Sequence, residues 1–159
     1  GRASICIEGI RQAKKEISNI PVFCGVIGPY SLAGRLFDMT ELMMECYDSP
    51  DEVAVLLAKV TEFLINYLKA FKKAGADGVI ICGCHPGDCH YSTGNYYARR
   101  RMTLLFSMLD FIGVENGRTR VEWVSAAEGV KFSQTMNEFV EKIRSLGENV
   151  RLGDLRCKN

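Results

Sequence analysis

The sequence predicts an α/β fold, a mainly parallel sheet with flanking helices. Three observations predict it. Short apolar runs at residues 20–28, 78–82 and 118–124 alternate with longer segments whose apolar residues recur every three or four positions. The run at 78–82 is β-branched and lacks polar alternation, which suits a parallel strand covered on both faces. Glycine and proline punctuate the joins, so the order reads helix, strand, helix, strand, helix, strand, helix.

Residues 11–18 read as the end of an amphipathic helix with Lys14, Lys15 and Glu16 on its wet side. IPVFCGVIG, closed by Gly28-Pro29, reads as a buried strand. SLAGRLF and TELMMECY form two short helical pieces that part near Asp38. The strongest helix follows. Ser49 lies three residues before Glu52 and Pro50 takes the first helical position, a capping box with a proline start. Val53, Leu56, Leu57, Val60, Leu64, Tyr67, Leu68 and Phe71 mark its core face, and Gly75 its left-handed end. After GVIIC and a cysteine-rich loop, a helix over 96–111 turns Met102, Leu105, Met108, Leu109 and Ile112 inward. RTRVEWV is the third strand. Ser125 and Glu128 form a second capping box, opening a helix that buries Phe132, Met136, Phe139, Val140 and Ile143 and stops at Gly147. Residues 148–159 are a polar tail.

Composition narrows the function. At 159 residues, 47% hydrophobic and 25% charged, the chain is globular and large enough for a real core. A net charge of +1 argues against nucleic acid as a partner. No apolar run approaches the roughly 20 residues that cross a bilayer, and no signal-peptide pattern opens the chain. Neither a membrane nor an export route is expected. Gly1 rather than Met comes first, which suits a fragment or a processed form. Seven cysteines, an odd number, point to the cytoplasm, where thiols serve as metal ligands, redox groups or core fillers.

The chemistry concentrates in ICGCHPGDCHYSTGNYYARRR, residues 81–101. In a parallel sheet Cys82 and Cys84 lie at the carboxyl end of a strand, where α/β folds place their sites. Cys84 and Cys89 flank His85-Pro86-Gly87-Asp88, a turn able to fold both thiols back on one point. Iron–sulfur clusters take four thiolates, sometimes with histidine in place of some, and structural zinc takes four Cys or His ligands. The loop offers Cys84, Cys89, His85 and His90, with Cys82 expected to point into the sheet. The C-x-C-x4-C spacing is not a zinc-ribbon pattern, and a turn whose cysteines are small apolar fillers fits it equally well. A phosphate cradle is a further option, because Gly87 and Gly94 precede Arg99, Arg100 and Arg101, although no phosphate-loop motif is present. The arginines are either solvated or placed to screen an anionic cluster or meet an acidic partner. Cys6 and Cys46 read as core residues, Trp123 as a core or interface aromatic, and Glu128 as a cap.

Two resemblances follow from particular strings. GADGVIICGCHPGDCHYSTGNYYARRR and VEWVSAAEGVKFSQTMNEFVEKIRSLG, within residues 74–147, strongly resemble the delta (iron–sulfur) subunit of methyl-viologen-reducing hydrogenase. That resemblance implies an electron-transfer protein with a [2Fe–2S] cluster and no catalytic site of its own. It would pass electrons from a hydrogenase or formate dehydrogenase to the flavin-containing, A-type component of heterodisulfide reductase. It makes Cys84 and Cys89 the leading cluster ligands, with Cys82 behind them. The family's F-C-C-N-W-C segment and its C-S-G-R element are not among these residues.

Residues 5–79 resemble the uroporphyrinogen decarboxylase superfamily, in particular its cobamide methyltransferase branch, through IPVFCGVIGPYSLAGRLFDMTELMMECY and the helix after it. That resemblance implies a partial barrel-like half, with Gly28, Pro29, Tyr30 and Ser31 at the mouth of a cofactor pocket. The expected organisation is therefore a decarboxylase-like segment over 1–77, an iron–sulfur segment over 78–147 and the tail. The leading function is electron transfer, and a cobamide-dependent methyltransferase fragment is the alternative.

Overall fold

A computed structural model describes residues 2–89 and 93–147. The chain divides between Ala76 and Asp77 into two compact units. The first is built of helices α1 (Arg2–Glu16), α2 (Pro29–Phe37), α3 (Met39–Asp48) and α4 (Pro50–Lys73). Asp38 makes the break between α2 and α3. Its φ of 99° is rare for a residue with a side chain, and its carboxylate accepts from the Thr40 and Glu41 N–H groups at 2.8 and 3.3 Å. Turned there, α2 and α3 enclose Ala33 and Leu42 completely, against Val53, Val60 and Leu64 of α4. Burying a leucine side chain contributes about 1.5–3 kcal/mol, so Leu42 is the anchor of this small core.

The long helix ends as the sequence predicts. Gly75 takes φ +99°, its N–H donates to Lys72 O at 3.0 Å, and the Ala76 N–H reaches Phe71 O at 3.2 Å. These are the two bonds of a Schellman motif, which satisfies carbonyls the helix cannot. Lys14 of α1 donates to Gly75 O and so ties the first helix to this end. At the other end Pro50 is the first helical residue, but Ser49 makes no side-chain cap. Its φ of −141° and ψ of 57° accompany backbone bonds from Glu52 and Val53 to its carbonyl, in place of the expected box. Along α4, Val53, Val60, Leu64 and Phe71 are buried, whereas Leu68 is exposed.

One strand is missing. Residues 20–27 form no strand, and Ile20, Phe23, Val26 and Ile27 are exposed. A parallel strand exists only through a neighbour's ladder, and among its described residues the first unit has no other strand to provide one. The barrel-like half therefore appears as a helical cluster.

The second unit runs β1 (Val79–Gly83), α5 (Gly94–Phe111), β2 (Thr119–Trp123) and α6 (Gly129–Leu146). The strands pair in parallel from Val79↔Thr119 to Gly83↔Trp123. Bonds from the Val79 N–H to Arg118 O (2.8 Å) and from the Val124 N–H to Gly83 O (2.7 Å) extend the ladder at both ends. This is a helix-rich α/β arrangement with a small parallel sheet, as the alternation predicts. Phe139 and Ile143 of α6 pack so closely on Gly78 that a Cβ there would meet Phe139 Cζ at 2.9 Å. Arg118, only 5% exposed, donates to three carbonyls at two element ends: Asp77 O before β1, and Leu146 O and Gly147 O at the end of α6. Its Nε also donates to Glu115 at 2.7 Å, so a buried guanidinium has both charge and hydrogen bonds satisfied.

On α5 the structure shifts the predicted face. Ala98, Met102, Phe106 and Leu109 are half-buried, while Leu105, Met108 and Ile112 are exposed. On α6 Thr135 and Phe139 are buried and Phe132 is exposed. Cys6 and Cys46 are exposed rather than core residues, with Cys46 Sγ 3.7 Å from Tyr30 Oη.

Candidate metal centre

The cysteine loop leaves the carboxyl end of β1 and returns through the first turn of α5. His85-Pro86-Gly87-Asp88 forms a β-turn: the Asp88 N–H donates to His85 O at 3.0 Å, and Gly87 has φ +101°. Proline second and a positive-φ glycine third are the residues a type II turn requires. Tyr96 Oη lies 3.2 Å from where a Gly87 Cβ would sit, so α5 closes over the turn.

Both thiols meet α5 at its start. Cys84 Sγ accepts from Asn95 Nδ2 at 3.1 Å, and the same amide donates to Cys84 O. Cys89 Sγ lies 3.6 Å from the Cβ position of Gly94. Adjacent residues of one helical turn, Gly94 and Asn95, thus lie beside the two cysteines. The partial positive charge of a helix N-terminus favours an anion there.

Glu128 links this loop to the segment between β2 and α6. Its Oε2 accepts from the Ser125 N–H at 2.8 Å and lies 2.6 Å from His85 Nε2. The Ser125 N–H, and then His85, hold the Glu128 carboxyl below the usual glutamate range. The carboxylate half of the predicted capping box therefore forms, while α6 itself begins only at Gly129, with no side-chain cap. Lys131 adds a bond to Trp123 O at 2.6 Å, and the Trp123 ring packs 3.3 Å from the Gly83 Cβ position.

Cys82 stands apart from the two loop cysteines. It pairs with Glu122 in the ladder and is exposed instead of turned into a covered sheet. Partial burial pushes its thiol up, the Glu122 carboxylate adds to that, and Arg120 offsets part of it. Arg120 itself is engaged by Glu122 at 2.8 Å and Glu138 at 3.0 Å.

Among the described residues no three His, Cys, Asp or Glu side chains gather as a metal set. His90 lies outside the described residues, as do Cys157 and the rest of the tail. Cys84 and Cys89 are of the ligand type an iron–sulfur cluster takes, and such a cluster takes four ligands, two more than this pair offers. Gly28, Pro29, Tyr30 and Ser31 belong to the first unit. Gly28 and Pro29 start α2, and Tyr30 packs against the core that encloses Ala33. No helix among the described residues is long and apolar enough to cross a membrane.

Sequence reasoning missed Asn95 and the second role of Glu128. Asn95 had a signal: it falls in the three- and four-residue series 95, 98, 102, 106, 109 that proves to be the packed face of α5. A polar residue in such a series points to a specific partner. The His85–Glu128 contact joins positions 43 apart and had none.

Comparison with known proteins places the chain in a family. The family model for the methyl-viologen-reducing hydrogenase delta subunit matches residues 31–147. The chain is 56% identical over 80 residues to the iron–sulfur subunit of the vhc F420-non-reducing hydrogenase of Methanococcus voltae, covering 50% of this chain and 55% of that one. It is 56% identical over 86 residues to the iron–sulfur subunit of an F420-non-reducing hydrogenase of Archaeoglobus profundus, covering 54% and 60%. A third relative is the A-type subunit of the ferredoxin/F420H2-dependent CoB-CoM heterodisulfide reductase of Methanosarcina acetivorans. It is 44% identical over 86 residues, covering 54% of this chain and 10% of that one. The chain thus spans little more than half the length of the hydrogenase subunits it matches. The family match takes in residues 31–79 of the segment expected to be decarboxylase-like, and none of these three relatives is a decarboxylase or methyltransferase. The chain belongs to the methyl-viologen-reducing hydrogenase delta subunit family.

Proposed function

We propose that this chain is an electron-transfer module passing electrons from a hydrogenase, or a formate dehydrogenase, to a heterodisulfide reductase A-type subunit. The observation that carries this reading is the pair of thiols at the first turn of α5, inside the stretch that the delta-subunit family model matches and in a chain about half of which is similar to two kinds of protein. One kind is named as hydrogenase iron–sulfur subunits. The other is the larger, A-type reductase component, in which a similar segment forms a tenth of the chain. A segment found both in a small protein and inside a larger one suits a part that works at their junction.

Cys84 and Cys89 would hold a [2Fe–2S] cluster, which supplies one-electron transfer when bound. The chain's own residues prepare its place. Asn95 fixes Cys84, the Pro86-Gly87 turn returns the chain toward Cys89, and the Glu128–His85 contact secures the loop to the start of α6. Outer hydrogen bonds of this kind orient ligands and tune potential. Cys82 is a weaker ligand candidate, because it lies within β1 opposite Glu122 and not in the loop that carries Cys84 and Cys89.

The test combines hydrogenase, this protein and the flavin-bearing reductase component under hydrogen, following flavin absorbance. Bleaching that requires this protein and is lost in Cys84→Ser supports the reading. Bleaching at the same rate without the protein, or none with it, contradicts it.

A further inference from the structure

α5 has two apolar faces, and only one is used. Asn95, Ala98, Met102, Phe106 and Leu109 lie on the packed side. On the far side Tyr97, Leu104, Met108 and Phe111 recur at helical spacing, with exposures of 58, 65, 58 and 92%. Apolar side chains that recur on a solvent-exposed helix face mark an interaction surface. Arg100 and Arg101 are also exposed and, at about 100° per residue, flank the N-terminal end of this stripe. Neither makes an ion pair among the described residues, whereas Arg11, Arg118 and Arg120 all do.

We infer that this outward face of α5 is the docking surface for a partner protein that presents an apolar groove with carboxylates at one end. The inference rests on the electron-transfer reading for the partner's identity and adds the surface that meets it. Charge selects the occupant. The stripe contains no acidic residue, so a second copy would bring its own arginines and nothing to pair with them. An anionic lipid surface would favour basic residues along the whole polar side, but that side carries Arg99, Thr103, Ser107 and Asp110, with no net charge. A protein groove with acidic residues at one end satisfies both halves of the pattern. The geometry also suits the proposed work. Arg101 is seven residues from Gly94, about 10 Å along the axis, so a partner seated here lies close to the turn that touches both thiols.

The test measures binding of the full chain to a purified heterodisulfide reductase A-type subunit encoded in the same genome, at low and high salt. Leu104→Ala and Phe111→Ala are each expected to weaken binding about tenfold, as truncation of a central apolar anchor does. Arg100→Gln/Arg101→Gln is expected to weaken it at low salt and flatten its salt dependence. Val130→Ala, at an exposed position on α6, serves as the control and should bind as wild type. Circular dichroism and thermal unfolding confirm that each variant folds. Wild-type binding that the α5 variants leave unchanged overturns the surface alone. Absence of wild-type binding overturns the partner reading and the surface with it. Dimerisation lost in Phe111→Ala would instead assign the face to a second copy, and flotation with anionic vesicles would assign it to lipid. Either result overturns the inference.

Discussion

Each of the two units of this chain is stabilised internally by different physics. The first is closed by apolar burial: Ala33 and Leu42 are sealed, and Val53, Val60 and Leu64 complete the cluster. In the second, the buried residues include a guanidinium, Arg118, and the hydroxyl of Thr135, beside Phe139. Apolar contacts hold element faces together wherever they meet, whereas hydrogen bonds to named carbonyls fix element ends at defined points. The unit built on end-to-end polar ties is the one that carries the thiol loop. Its helix faces are correspondingly less used, and α5 has no fully buried residue.

The largest test of that contrast is Arg118→Met. It removes the bonds to Asp77, Leu146 and Gly147 and leaves Glu115 without its partner. A loss of about 3–5 kcal/mol is expected in denaturant unfolding of the second unit. If the cost is under about 1 kcal/mol, the guanidinium is not the tie described. Leu42→Ala probes the other unit, where the cavity should cost about 2–5 kcal/mol, read from the same titration by a probe in the first unit. The smallest effect concerns pH. The Glu128 carboxyl is depressed when folded, so its contribution is fully present above the ordinary glutamate value and is lost as pH falls through the lowered one. Protection of the Ser125 amide against hydrogen exchange should therefore fall in acid in the wild type. Glu128→Gln should lose that acid dependence, and a variant that retained it would show that another group carries the effect.

Local signals carried much of the fold. Asp38, Pro50, Gly75 and Gly147 mark helix ends because backbone geometry at those points depends on one residue. The strands at 79–83 and 119–123 were legible as apolar runs that pair in parallel. The run at 20–28 looks the same in sequence, but a strand depends on a neighbour that the run itself does not specify. Periodicity along α5 marked residues from both its apolar faces, so it named Met102 and Leu109 correctly and Leu105, Met108 and Ile112 wrongly. At the candidate centre the turn was readable from Pro86-Gly87. The contact of Asn95 was signalled only by its place on the packed face of α5, and that of Glu128 with His85 was not legible, since it joins positions 43 apart.

The central claim is that Cys84 and Cys89 ligate an iron–sulfur cluster at the first turn of α5. The most direct measurement is iron, acid-labile sulfide and visible absorption of protein purified and reconstituted without oxygen, beside a Cys84→Ser/Cys89→Ser variant. The account predicts a coloured wild type with about two iron and two sulfide per cluster and a colourless, folded double variant. A colourless folded wild type, or a double variant that keeps the wild-type iron, sulfide and spectrum, would contradict it.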